Sequence, residues 1–381
     1  MDIYVVQAGD TVNGIAAFYG LESSQIIYDN QLIYPYTLAV GQALFIRGDE
    51  RMPDKSIYVS GYAYPFINTW VLEQTLPYLS NLPVFSYGFT SDGQLIPPMW
   101  DDEPLIEAAE MNGVVPVLVL TPFGPDGQFN NQLISAVVNN QTSINNLISN
   151  LLNTMGQKGY RGLDIDFEYI LATDRDAFTA FVEQTAQAMR ANGYRTSVAL
   201  APKTSAQQRG VLYEGKDYAA IGAAADSVLL MTYEWGYTYG PPMAVAPINQ
   251  VRRVVEYAVT EIPREKIDLG IPNYGYDWPL PFERGITQAA TINHVQAVQI
   301  AIREGAEIFY DELAQSPYFR YTDAATGVEH EVWFEDVRSL QAKFDLIKEF
   351  NLRGCGYWQI MQWFRANWLL LSENFEINKS W

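Results

Sequence analysis

At 381 residues the chain exceeds one ordinary core and suits a large domain with a small companion. Its 48% apolar and 18% charged residues describe a folded soluble protein, and no run nears the roughly 18 apolar residues of a membrane span. A net charge of −20, with an isoelectric point near 4.4, repels nucleic acid and anionic lipid, so neither nucleic acid nor membrane is an expected partner.

The N-terminus, MDIYVVQAGDT, has neither the basic start nor the apolar stretch of a secretory signal. The expectation is unconventional export, wrapping where the protein is made, or prior processing. YVVQA (4–8) alternates as a short strand, and Asp10-Thr11 opens an apolar-periodic stretch, VNGIAAFYG, that closes at Gly20. A second short helix fits SSQIIYDN, with Ser23 or Ser24 as N-cap. Pro35 and Gly41 punctuate the chain before a last strand, ALFI (43–46). This βααβ order, with YVVQAGDTVNGIAAFYG, Asn30, Leu38 and GQALFI, resembles the LysM module. The resemblance implies binding to glycans that contain N-acetylglucosamine, chitin or peptidoglycan. It places the sugar groove between Gly9-Asp10-Thr11 and the facing Gln31-Leu32-Ile33, although Asp10 serves equally well as a plain helix cap.

The module is assigned to 1–47, a polar linker to 48–55 (within GDERMPDKS) and a second domain to 56–381. A chain starting near Lys55 is expected to fold and to cleave small soluble fragments as well as the whole protein. On insoluble walls it should do worse.

Beyond the linker, eight apolar strand-like runs recur at 56–64, 82–89, 114–120, 162–169, 195–202, 226–234, 266–275 and 355–360. Helical patterns fall between them, at 102–112, 134–157, 174–193 and 247–260. Alternation of this kind reads as α/β, a parallel sheet closed into a (β/α)₈ TIM barrel, with a doubly wound open sheet as the alternative. The stretch 276–354 is too long for one helix. Its segment 317–336 has hairpin character around Ala325-Thr326-Gly327, so a small α+β insertion is expected at about 279–335.

The fourth run, GLDIDFEY, sets Asp164, Asp166 and Glu168 at alternate positions. Period-2 alternation points all three into the barrel and turns Leu163, Ile165 and Phe167 outward. Glu168 comes last, toward the C-terminal end where such barrels keep their chemistry. Carboxylates two apart, about 6.5–7 Å at the backbone, can share a proton, which is how a glutamic acid stays protonated near neutrality. A carboxylate-only cation site is the alternative reading of the same row. One cysteine, Cys355, and two histidines, His294 and His330, offer no Cys/His metal set, and no G-x-S-x-G motif supports a serine nucleophile. No metal and no cofactor is expected. Aromatic residues make up 14%, enough for sugar-stacking platforms beyond the needs of the core.

G-x-D-x-D-F-E-Y on a fourth strand resembles the signature of glycoside hydrolase family 18, the chitinase-like barrels. Met231-Thr232-Tyr233-Glu234-Trp235 after the sixth strand and Trp358 at the end of the eighth agree with it. The segments 231–252 and 274–278 resemble the LysM-bearing branch of spore-forming bacteria, which acts on spore cortex peptidoglycan. The family's longer motif begins with an Asp where this chain has Arg161.

The resemblance implies a retaining mechanism in which the substrate's own acetamide attacks C1. Glu168 would be acid and base, Asp166 would stabilise the acetamide, Asp164 would tune Asp166, and Tyr233 would align the carbonyl. Trp358, Met231, Trp235, Tyr276 and Trp278 would bind substrate. The expected setting is spore cortex, coat or cell wall. Chitin oligomers, or a non-catalytic chitinase-like lectin, remain the alternatives.

Overall fold

The computed structural model describes residues 1–48 and 53–379. Half of the expected linker, residues 49–52, therefore lies outside the described residues. Eight parallel strands, Ser56–Gly61, Asn81–Phe89, Val115–Leu120, Gly162–Ile165, Arg195–Leu200, Ser227–Leu230, Ile267–Pro272 and Gly354–Trp358, pair in chain order. The eighth then pairs back onto the first, which closes the barrel. The open-sheet alternative is thereby excluded. Apolar residues on the outward face seat the helices. Phe167 lies stacked 5.7 Å from Phe181 and 5.3 Å from Phe89, so the apolar half of the acidic run packs under helix Arg175–Ala191.

Two elements differ from expectation. The helix read at 134–157 is two, Gln132–Val138 and Gln141–Lys158, because the Asn140 side chain accepts from the Thr142 and Ser143 amides and starts a new helix. The fourth strand stops at Ile165 and the sixth at Leu230, short of the runs ending at 169 and 234. At the barrel mouth the ladder gives way to local bonds: the Thr232 and Tyr233 amides donate to Leu230 and Met231, and the Thr232 hydroxyl to the Gly270 carbonyl.

Between the seventh and eighth strands the chain forms a five-stranded antiparallel sheet with helix His294–Glu304. Its first strand is Gly275–Pro279, earlier than the expected start at about 279.

The N-terminal unit pairs Asp2–Val5 antiparallel with Ala43–Ile46 and holds helices Val12–Tyr19 and Ser23–Asp29 between them. Neither Ser23 nor Ser24 caps the second helix. Glu22 occupies the N-cap with no side-chain bond, and the Ser23 hydroxyl instead donates to Asn13.

This unit is docked on the barrel. Ala43 and Phe45 lie within the barrel's own apolar cluster, and Phe45 is almost fully buried. Asp29 pairs with Arg47 at 2.6 Å and with Arg365 of the barrel at 3.1 Å, while the Arg365 guanidinium covers the Tyr28 ring at 4.0 Å. The Ile308 amide donates to the Val40 carbonyl at 2.9 Å, and Arg338 to the Gly41 carbonyl at 3.1 Å. Gly41 is obligatory there, with φ at +82° and an added Cβ only 1.8 Å from the Ile308 carbonyl oxygen.

The N-terminal unit thus touches the barrel directly, in addition to being joined to it by the chain. A chain starting near Lys55 uncovers the Phe45 socket and should melt several degrees below the full chain in calorimetry. Phe45→Ala should cost about 3–5 kcal/mol. Equal melting of the full and shortened chains would show that the contact carries no energy.

Candidate active site

The carboxylate row rises from the barrel core to its mouth. Asp164 is fully buried and accepts from the Tyr62 hydroxyl at 3.0 Å and the Ser197 hydroxyl at 2.5 Å. Burial raises its pKa, and those two bonds work against the rise. Asp166 lies one residue beyond the strand, its amide still donating to the Leu120 carbonyl at 3.0 Å. Its carboxylate is pushed well above the usual range, first by burial, then by the charges of Glu168 and Asp164. One of its oxygens, Oδ1, is buried without a hydrogen-bond partner. Glu168 is half-buried and opens on a cavity of about 190 Å³, shared with Met231, Tyr233, Trp235, Leu212 and Tyr213.

Among the described residues no three acidic, histidine or cysteine side chains converge as a metal site. The outcome for the cation-site reading is a carboxylate row whose innermost member is saturated by two hydroxyls. Tyr233 is held neutral by burial and by Asp166, Glu168 and Asp164, so its phenol can donate.

Trp358 is half-buried at the end of the eighth strand, with ring centres 4.9 Å from Phe85, 5.9 Å from Tyr62 and 6.1 Å from Tyr64. Tyr64 and Phe85 of this cluster also line a groove of about 420 Å³, together with Trp100 and Phe123 and with no charged residue. The sequence reading missed this wall, although the Tyr62-x-Tyr64 alternation at the end of the first strand pointed to it. Tyr62 and Ser197, which saturate Asp164, were also missed.

Two assignments change. Trp278 is fully buried, its indole N–H donating to the Gly240 carbonyl at 2.8 Å, so it packs the wall and cannot meet a substrate. Tyr276 is 6% exposed and donates its hydroxyl to Glu234 at 2.9 Å, as Tyr274 also does, which makes it a support for Glu234 instead of a sugar platform. Arg161 stands on the surface at the start of the fourth strand, 3.9 Å from Glu110 and apart from the carboxylate row. Its substitution for the family's Asp leaves Asp164 fully bonded.

In the N-terminal unit, Gly9, Thr11 and Ile33 are exposed and Leu32 is half-buried. Thr11 is the N-cap, accepting from Gly14 at 3.1 Å. Asp10 is not; its carboxylate accepts from the Tyr4 hydroxyl and the Gln7 amide, each at 2.7 Å. Gln31 turns to the barrel, donating to the Trp363 carbonyl at 3.3 Å and accepting from the Arg365 amide at 2.7 Å.

A closed parallel barrel with an acidic row at the mouth of its fourth strand and an aromatic floor on its eighth defines a glycosidase. The chain belongs to the glycosyl hydrolases family 18, whose model matches residues 118–362, and it carries a LysM domain at residues 4–47. It is 37% identical to the cortical fragment-lytic enzyme of Bacillus subtilis, over 100% of this chain and 99% of that one. It is 34% identical to the putative sporulation-specific glycosylase YdhD of the same organism, over 99% and 88% of the two chains. Against the crystal structure of the Bacillus cereus spore cortex-lytic enzyme SleL the TM-score is 0.93 at 34% identity, covering 99% of each chain.

Proposed function

We propose that this glycosidase cleaves N-acetylglucosamine linkages in spore cortex peptidoglycan, retaining the anomeric configuration through the substrate's own acetamide. The observation that carries the mechanism is the unbonded Oδ1 of buried Asp166, whose carboxylate feels the charge of Glu168 and helps to hold the Tyr233 phenol neutral. In this reading Glu168 protonates the leaving oxygen and then takes a proton from the incoming water. Asp166 accepts from the acetamide N–H and stabilises the positive charge that develops on the oxazolinium ion. Tyr233 donates to the acetamide carbonyl and so fixes the attacking oxygen near C1. Asp164, held by Tyr62 and Ser197, keeps Asp166 poised. Trp358 lies under the reacting sugar, while Met231 and Trp235 close the cavity beside it.

The cortex as substrate is supported by full-length similarity to proteins named for cortex lysis. The LysM segments Gly9-Asp10-Thr11 and Gln31-Leu32-Ile33 would hold glycan, with Gln31 contributing only its backbone because its amide is committed to the barrel. The place of work is then the spore cortex or cell wall.

Purified cortex fragments and chitin oligomers, digested side by side, test the substrate. The cortex fragments should be turned over faster, and an NMR time course should show the β-anomer first. An inverted first product would exclude acetamide participation, and faster chitin turnover would make the protein a chitinase.

A further inference from the structure

Lys216 is fully buried beside the carboxylate row, and its ammonium nitrogen has no hydrogen-bond partner. Such a group is costly unless a nearby charge compensates it. The surroundings fix where it sits. The Lys216 carbonyl accepts from the Lys203 ammonium at 2.9 Å, and its amide donates to the Tyr213 carbonyl at 3.2 Å. The preceding Gly215 lies flat on Ile170, where an added Cβ would stand 2.3 Å from the Ile170 carbonyl oxygen. The segment carrying Lys216 is therefore clamped to the backbone two residues after Glu168. Leu212 and Tyr213 of the same segment line the Glu168 cavity.

The charges acting on the ammonium are Glu168 and Asp166, which favour its charged form, and Lys203, which opposes it. Burial is the largest influence and brings Lys216 down to about 8. Reciprocally, Lys216 lowers Asp166 against the upward push of burial, Glu168 and Asp164. Two buried unbonded groups, the Lys216 ammonium and Asp166 Oδ1, thus share one electrostatic neighbourhood.

We propose that Lys216 is a positioning residue for the Asp166–Glu168 pair, its buried ammonium supplying the positive charge that lets two adjacent carboxylates share one proton instead of each taking one. The proposal rests on the reading of Glu168 and Asp166 given above. In that scheme the doubly protonated pair is inactive, because a neutral Asp166 cannot stabilise the developing charge on the acetamide. The cation favours loss of the second proton. Without it, the pair gains that proton at higher pH.

The test is the pH profile of kcat/KM on a soluble cortex fragment. Lys216→Met should move the acid limb upward by about one pH unit, so kcat/KM on that limb falls about tenfold. Lys216→Arg should restore the limb, since it restores the charge. A Met variant that melts like the parent but keeps its acid limb in place overturns the proposal, as does an equal shift in the Arg variant.

Should the Met variant not fold, ¹³C-labelled lysine in the full chain gives a second measurement. The resonance titrating near 8 should move to lower pH in Glu168→Gln, because Glu168 favours the charged ammonium. No movement overturns the proposal. Glu168→Gln also separates the two ideas: if it keeps its activity, the assignment of the acid falls first. If it is inactive and the Lys216 limb does not move, only the role of Lys216 is lost.

Discussion

Replacing Glu168 by Gln is expected to lower kcat by about 10²–10⁴ while leaving glycan binding in place. The amide keeps the shape of the carboxyl group, half-buried at the cavity beside Tyr213 and Trp235, but cannot deliver a proton to a leaving oxygen. Steady-state kinetics on a soluble fragment, with binding followed by calorimetry, reads both quantities. Hydrolysis near the parental rate would remove Glu168 as the acid. Loss of binding together with loss of rate would point to a collapsed site.

The second large effect is expected from Asp166→Asn, about 10²–10³ in kcat. Asp166 has one oxygen with no bond in the resting protein and three influences that keep it poor in charge: burial, Glu168 and Asp164. A positive acetamide-derived ring arriving beside it is what makes its ionised form worthwhile, so the interaction strengthens along the reaction coordinate. The Asn variant should therefore also lose affinity for a thiazoline analogue of N-acetylglucosamine more than for N-acetylglucosamine itself. Equal losses for the two ligands would show that Asp166 recognises the resting sugar and not the charged ring.

Much of this arrangement was legible in the residues because periodicity records it directly. Alternation in GLDIDFEY separates Asp164 and Asp166 from Ile165 and Phe167, and the barrel buries Phe167 outward between Phe89 and Phe181. What periodicity does not record is where pairing stops. The fourth strand ends at Ile165 and the sixth at Leu230, where the Thr232 and Tyr233 amides turn to local carbonyls, and no change in hydrophobic pattern marks either end. Burial of an aromatic was equally hidden. Trp278 and Trp358 are the same residue type near strand ends, yet Trp278 donates to Gly240 inside the wall while Trp358 faces the cleft. Lys216 escaped notice because a lone lysine in a loop carries no spacing rule. Its importance comes from Gly215 lying flat against Ile170, a contact between distant parts of the chain.

The docking of the N-terminal unit also bears on how the enzyme meets its polymer. A flexible tether would let the catalytic cleft swing and sample strands at every angle around an anchored point. Here Gln31 is bonded to the Trp363–Arg365 segment, a few residues beyond Trp358, and Phe45 is sunk in the barrel. Each landing therefore presents the cleft at one fixed bearing relative to the anchor. In an intact, cross-linked wall only strands that run along that bearing can be threaded. Short pieces released by other cuts can turn freely and meet the cleft in any pose, so a unit docked in this way is expected to favour loosened material over the undamaged mesh.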